Sequence, residues 1–123
     1  MSTLFIALQL AIALGIANVW LVRPAMATPY RGGSATTMKE EFAAYGLSES
    51  FMEGIRALKL LLAGALVIGI WVPELVQPAA AGMAALMLGA IAMHIKVKDP
   101  LQKSVPALCM LAMSIAVAVL QAS

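Results

Sequence analysis

The sequence predicts an all-α membrane protein: a single domain over residues 1–123, built as a four-transmembrane-helix bundle with a short interfacial amphipathic helix in the first loop. Three observations carry this. First, 63% of the 123 residues are hydrophobic and 11% are charged. A soluble domain carries about 25% charge, and a soluble fold this small cannot hide so much apolar surface. Second, the apolar residues fall into four runs, Leu4–Val22, Phe51–Val72, Pro78–Ile95 and Val105–Gln121. Each is near the ~20 residues a helix needs to cross the hydrocarbon core, and none shows the strict alternation of a membrane β-barrel. Third, the cations are sorted. Arg23, Arg31 and Lys39 lie between the first two runs, Arg56 and Lys59 in the opening turns of the second, and Lys96, Lys98 and Lys103 between the last two. With four spans all eight fall on one side; an odd number would scatter them. The positive-inside rule then places residues 23–50 and 96–104 in the cytoplasm and both termini outside, in a bacterial inner membrane.

The expected helices are about 4–22, 51–72, 78–95 and 100–121. The first could be mistaken for a cleaved leader, since Ala25-Met26-Ala27 has the A-x-A look, but Met1-Ser2-Thr3 lacks a basic n-region, so a retained helix is expected. Asn18 and Trp20 near its end fit an interface anchor. Ser50 and Glu53 have capping-box spacing for helix two. Pro73 follows that helix, and Pro78 and Pro100 suit first helical positions, where the missing N–H costs nothing. Asp99 suits an N-cap before Pro100. Pro106 either kinks helix four or marks a later start.

The long polar segment holds a second capping box, Thr37-x-x-Glu40. Met38, Phe42 and Tyr45 follow on one helical face, with Lys39, Glu40 and Glu41 opposite, and Gly46 ends the element. An amphipathic helix over about 37–46 is expected at the membrane surface or folded under the bundle. Before it, Arg31, Gly32 and Gly33 could present backbone amides to an anion or a partner, although turn material is the simpler reading.

Small residues recur at four-residue spacing: Ala7-Ala11-Gly15, Ala65-Gly69, Ala81-Ala85-Gly89 and Ser114-Ala118-Ala122. Such stripes let membrane helices approach closely. Little interior room is expected, with the seven Met beyond residue 30 as gap fillers.

The polar groups left over are few. Glu53, Arg56 and Lys59 share one helical face. Glu53 and Arg56 fit an interfacial pair, whereas Lys59 lies about 12 Å along the helix from Phe51 at ~1.5 Å per residue, deep enough to be costly unless it works. His94 is the single histidine, near the same depth, and too few for a metal or haem site alone. Cys109 is a lone cysteine, which removes self-contained disulfide chemistry. No nucleophile triad, metal cluster or nucleotide fingerprint occurs, and cations sorted by sidedness give no nucleic-acid groove. The candidate site is therefore Lys59, His94, Arg56 and Glu53, with no catalytic set and no metal.

The segments "YGLSESF", "GIRALKLLLAGALVIGIWVP", "MLGAIAMHIKVKDP" and "SVPALCML" together resemble the DoxX-like family of small four-helix membrane proteins. The joint order of Lys59, His94 and Asp99-Pro100 carries most of the likeness. The resemblance implies a four-helix membrane fold. It also implies a relation to membrane partners of redox enzymes, a thiosulfate–quinone oxidoreductase subunit and assembly chaperones of membrane receptors. Many such relatives carry an acidic residue in helix two, where this chain has Lys59. Lacking a complete catalytic set, the chain is expected to be a non-catalytic accessory or assembly subunit, with the bilayer and other membrane proteins or itself as partners and no cofactor. The alternative is the membrane subunit of a quinone-linked oxidoreductase, with quinone at Lys59, Arg56 and His94. A small transporter ranks last, because no pair of broken helices faces across the midplane.

Overall fold

The structure is a computed structural model that describes residues 3–22 and 30–122. Arg23, the Ala25–Ala27 stretch and the side chain of Ala122 lie outside the described residues. The described residues form five α-helices and no strand: α1 (Thr3–Ala17), α2 (Met38–Ala44), α3 (Glu49–Ile68), α4 (Val76–Lys96) and α5 (Val105–Ala122). A π-helical turn, Asn18–Val22, continues α1, and 3-10 turns at Pro73–Leu75 and Leu101–Ser104 precede α4 and α5. Three stretches are long and apolar enough to cross a membrane: Thr3–Val22, Pro73–Lys96 and Leu101–Gln121. α3 is also 20 residues long, but Glu49, Glu53, Arg56 and Lys59 interrupt its apolar character.

Packing runs from α1 to α3 and α5, and from α4 to α3 and α5. Ile12, Leu66, Val76, Met83 and Val117 are fully enclosed between them. The outward faces are just as apolar: Leu14 and Leu61 are each 69% exposed, and Leu88, Ile115 and Val119 also point out. Helices apolar all round belong in a membrane or a large core, and a chain of this size has no large core.

Caps explain the element ends. Thr37 Oγ1 accepts from the Glu40 amide at 3.2 Å, and Glu40 reaches back to the Thr37 amide at 3.1 Å, completing the expected box. The Thr36 hydroxyl, then its amide, hold the Glu40 carboxyl below its ordinary range. After the cap residue Tyr45, Gly46 turns left-handed (φ +80°) and Leu47 N–H returns to the Phe42 carbonyl, a Schellman ending. That turn feeds α3 sooner than the sequence suggests. Ser48, not Ser50, caps it, accepting from Phe51 N–H at 3.1 Å. Pro73 opens the 3-10 turn, so Pro78 sits inside the first turn of α4 rather than at its start. α5 does start late, with Pro106 as its second residue.

Two expectations about packing need correction. Ala7, Ala11, Ala81, Ala85 and Gly89 are exposed, while Phe5, Gln9, Ile12 and Ile16 of α1 and Ala79, Ala80, Met83 and Met87 of α4 turn inward. Gly69 and Ser114 do sit at buried contacts: a β-carbon on Gly69 would lie 2.5 Å from Val76 Cγ2. Larger side chains thus fill the interior and hold parts of it open. Deep inside, Gln9 Nε2 donates to the Leu66 carbonyl at 2.9 Å, where the end of α3 tightens and Ile70 N–H bonds Val67 instead.

Candidate functional site

Every described cation lies toward the end of the molecule capped by residues 30–47, and the site forms beneath that cap. It begins at the close of α4. Lys98 adopts a left-handed conformation (φ +59°), Lys98 N–H bonds the Ile95 carbonyl at 3.0 Å and Asp99 N–H bonds His94 at 2.9 Å. This second Schellman turn folds the chain back by one turn. It sets Asp99 against His94, with Nδ1 to Oδ2 at 2.8 Å. Asp99 is therefore not the expected N-cap; Pro100 occupies that place, without a side-chain bond. Asp99 also accepts from the Gly33 amide at 3.0 Å and lies 3.6 Å from Lys103 Nζ, which itself donates to the Gly33 carbonyl at 2.6 Å. Burial pushes the Asp99 carboxyl up, but the bonds from His94 and Gly33 with the Lys103 charge outweigh it and hold it below 3.8. An ionised Asp99 only accepts, so the proton sits on His94 Nδ1 and Nε2 is left for other partners.

The cap is stitched down at two more points. Lys96 Nζ donates to the Tyr45 carbonyl at 2.7 Å. Glu41 accepts from the Gly32 amide at 2.5 Å and pairs with Arg31 at 3.6 Å. The Gly-Gly amides thus do meet anions, but the anions are the protein's own Glu41 and Asp99. Glu41 is turned inward rather than facing water with Lys39 and Glu40; three residues after Met38 and four before Tyr45, it borders the buried face. Burial, then the Glu41 carboxylate, push the Tyr45 phenol up.

Trp20, expected at the interface, is buried. It stays on the face of Ile16 through the π turn, a feature often found at functional sites. Its ring meets Phe42 edge-on at 5.9 Å, Phe42 meets Tyr45 at 6.0 Å, and Tyr45 meets His94 at 5.9 Å. Lys59 Nζ lies 4.8 Å from the Trp20 ring centre. Lys59 is only 8% exposed and His94 7%.

These groups border two cavities of about 350 and 360 Å³, both reaching Trp20, Glu41, Lys59 and His94. The first runs between α1 and α5, walled by Ile16, Met87, Ala107 and Met110. The second runs between α2, α3 and α4, walled by Phe42, Phe51, Ile55, Leu86 and Met93. The expectation of little interior room is therefore overturned at this end: bulky Trp20, Lys59 and His94 prop the helices apart. Both volumes fall in the range of ligand pockets. Of the four expected site residues, Lys59 and His94 come together around the cavities. Arg56 and Glu53 do not; they pair with each other at 3.6 Å on the outer face of α3. Cys109 is exposed on α5.

A model of the DoxX-like family matches residues 7–117. The chain belongs to the DoxX-like family. Neither a curated protein nor a solved structure matches it. In this DoxX-like chain the matched region holds Trp20, the capping loop, Lys59, His94 and Asp99, so the whole site lies within the family's span.

One substitution tests the cap. A β-carbon at Gly32 would lie 2.5 Å from both Cε1 and the hydroxyl oxygen of Tyr45. Gly32→Ala is expected to lower stability by about 1–3 kcal/mol through overpacking, whereas Gly54→Ala, with nothing within 4 Å, should gain about 0.5–1 kcal/mol of helix propensity. Thermal midpoints in detergent compare them; equal shifts would mean Tyr45 is not held against Gly32.

Proposed function

We propose that this chain is a four-span inner-membrane bundle, with α3 as the fourth span and α2 at the cytoplasmic interface, whose work is to bind a ligand drawn from the bilayer. The observation that carries this reading is the pair of apolar-walled cavities converging on Lys59 and His94. A head group there meets an ammonium, an imidazole Nε2 and the flat face of Trp20, and its tail meets Met and aliphatic side chains. A quinone fits such a head site, one carbonyl oxygen accepting from Lys59 and its ring lying against Trp20. A membrane subunit of a quinone-linked oxidoreductase is the enzymatic form of this reading; quinone would supply the electron carrier, and Lys59 and His94 would orient its head.

The experiment is purification in mild detergent followed by organic extraction. A bilayer-derived amphiphile recovered near one per chain, and lost in His94→Phe, is the expected result; quinone as that amphiphile would assign the enzymatic form. A protein that carries no such amphiphile and instead elutes with another membrane protein would favour the second reading, an accessory or assembly subunit. That second reading draws on the outward-facing Ala7, Ala11 and Ala81, small residues on which a foreign helix could pack closely.

A further inference from the structure

We infer that the cavity at Lys59 is built for a ligand whose head carries one negative charge, an acidic amphiphile such as a long-chain carboxylate, in preference to a neutral head. The inference rests on the reading that this cavity takes its ligand from the bilayer, and it names the ligand's chemistry.

The argument is one of charge pairing. Around the site the other charges are matched within the protein. Arg31 has Glu41 at 3.6 Å, and Asp99 has His94 at 2.8 Å and Lys103 at 3.6 Å. Lys96 spends its charge on the Tyr45 carbonyl. Among the described residues Lys59 has no direct ion pair: its close contact is the Trp20 ring, and the Glu41 carboxylate that shares its cavities lies beyond 4 Å of its Nζ and is paired with Arg31. A ring face and a carboxylate beyond hydrogen-bond reach offset only part of the desolvation that a largely buried ammonium suffers. A single negative oxygen placed beside Nζ removes that imbalance with a charge-assisted bond. Glu41 borders both cavities and would repel a second negative charge, so a monoanion is favoured over a dianion. Beyond the head, Phe51, Ile55, Leu86 and Met93 wall the lobe between α2, α3 and α4, which suits a hydrocarbon tail, whereas the other lobe also reaches Asn18, Tyr30, Arg31 and Lys103.

The molecule carries its own reporter. Of its two tryptophans, Trp20 touches the site and Trp71 is 75% exposed after α3, at the opposite end, so Trp71→Phe leaves a single fluorophore in the site. The full chain with that change is placed in phosphatidylcholine nanodiscs and titrated with dodecanoate, dodecanol and a decyl-substituted benzoquinone, following Trp20 emission. Dodecanoate is expected to bind roughly 10–100-fold more tightly than dodecanol, the range of one charge-assisted bond of about 1.5–3 kcal/mol. Lys59→Arg should keep the preference and Lys59→Met should abolish it. The wild-type comparison of acid with alcohol needs no variant, so a poorly folding substitution cannot hide the answer. Equal binding of dodecanoate and dodecanol overturns the inference. So does quinone binding tighter than dodecanoate and unaffected by Lys59→Met, although that outcome leaves the bilayer-ligand reading standing. Binding of none of the three removes both. In nanodiscs of phosphatidylglycerol without added acid, Trp20 emission should stay unchanged; the dodecanoate response there would assign the site to a phospholipid head and overturn the carboxylate.

Discussion

Lys59→Met is expected to raise the stability of the ligand-free protein by about 1–3 kcal/mol, because it removes the desolvation cost of a largely buried polar group that has no hydrogen-bonded partner. The substitution keeps an unbranched chain and removes an ammonium that is 8% exposed and has only the Trp20 ring beside it. The lost ring contact takes back part of the gain. An unfolding titration in SDS, read by helical circular dichroism, compares the two proteins. A less stable Lys59→Met would mean that the ammonium is satisfied inside the folded chain, and the case for an external anion would fall. A residue that costs stability and sits in a cavity is a functional residue in the sense that stability alone does not explain it.

Asp99→Ala should act in the opposite direction, with a loss of about 1–3 kcal/mol, the cost of leaving the partners of a part-buried, charge-assisted hydrogen-bond cluster unsatisfied. Its carboxylate is the point at which α4, the capping loop and the approach to α5 meet: His94 at 2.8 Å, the Gly33 amide at 3.0 Å and Lys103 at 3.6 Å. Removing it leaves the Gly33 amide without its acceptor, takes the counter-charge from Lys103, which keeps its bond to the Gly33 carbonyl, and frees the His94 ring to turn. Faster amide exchange across residues 30–46 should accompany the loss; unchanged exchange there would show that Lys96, Lys103 and Glu41 hold the cap without Asp99. Acidity should reproduce part of the effect in the wild type. The folded Asp99 carboxyl titrates below its ordinary value of 3.8, so its stabilisation is complete above that value and fades as pH falls through the folded one. The gap between the wild type and Asp99→Asn should therefore close below about pH 4. A gap that stays constant from pH 7 to pH 3 would rule out the ionised carboxylate as its source.

Much of the helical plan was legible because it follows from local chemistry. Apolar runs of bilayer length, the Thr37–Glu40 box and Gly46 after α2 each act within one turn or one span. Lys59 and His94 were legible as the two polar groups out of place in apolar helices. Asp99 was hidden because its turn places Lys98, not glycine, in the left-handed position, and a lysine gives no sign of such a turn. Ser50 fits the capping pattern with Glu53, but that pattern ignores how α2 delivers the chain, and Ser48 caps α3 instead. The small-residue stripes misled because spacing says which residues share a face, not which way that face points.

By itself, then, the order of residues determined an all-helical chain with four apolar runs, of which three form helices long and apolar enough to cross a membrane, a capped helix in the first loop, and a lysine and a histidine out of place in apolar helices. Only the tertiary structure decided that Glu41 turns inward, that Trp20 lies against Lys59, that Arg56 and Glu53 face away, and that space remains between the helices. The physical reason is range. Helix formation and hydropathy are set by neighbours a few residues apart, whereas the charge balance around Lys59 depends on side chains from α1, α2, α4 and α5 whose meeting no local pattern encodes.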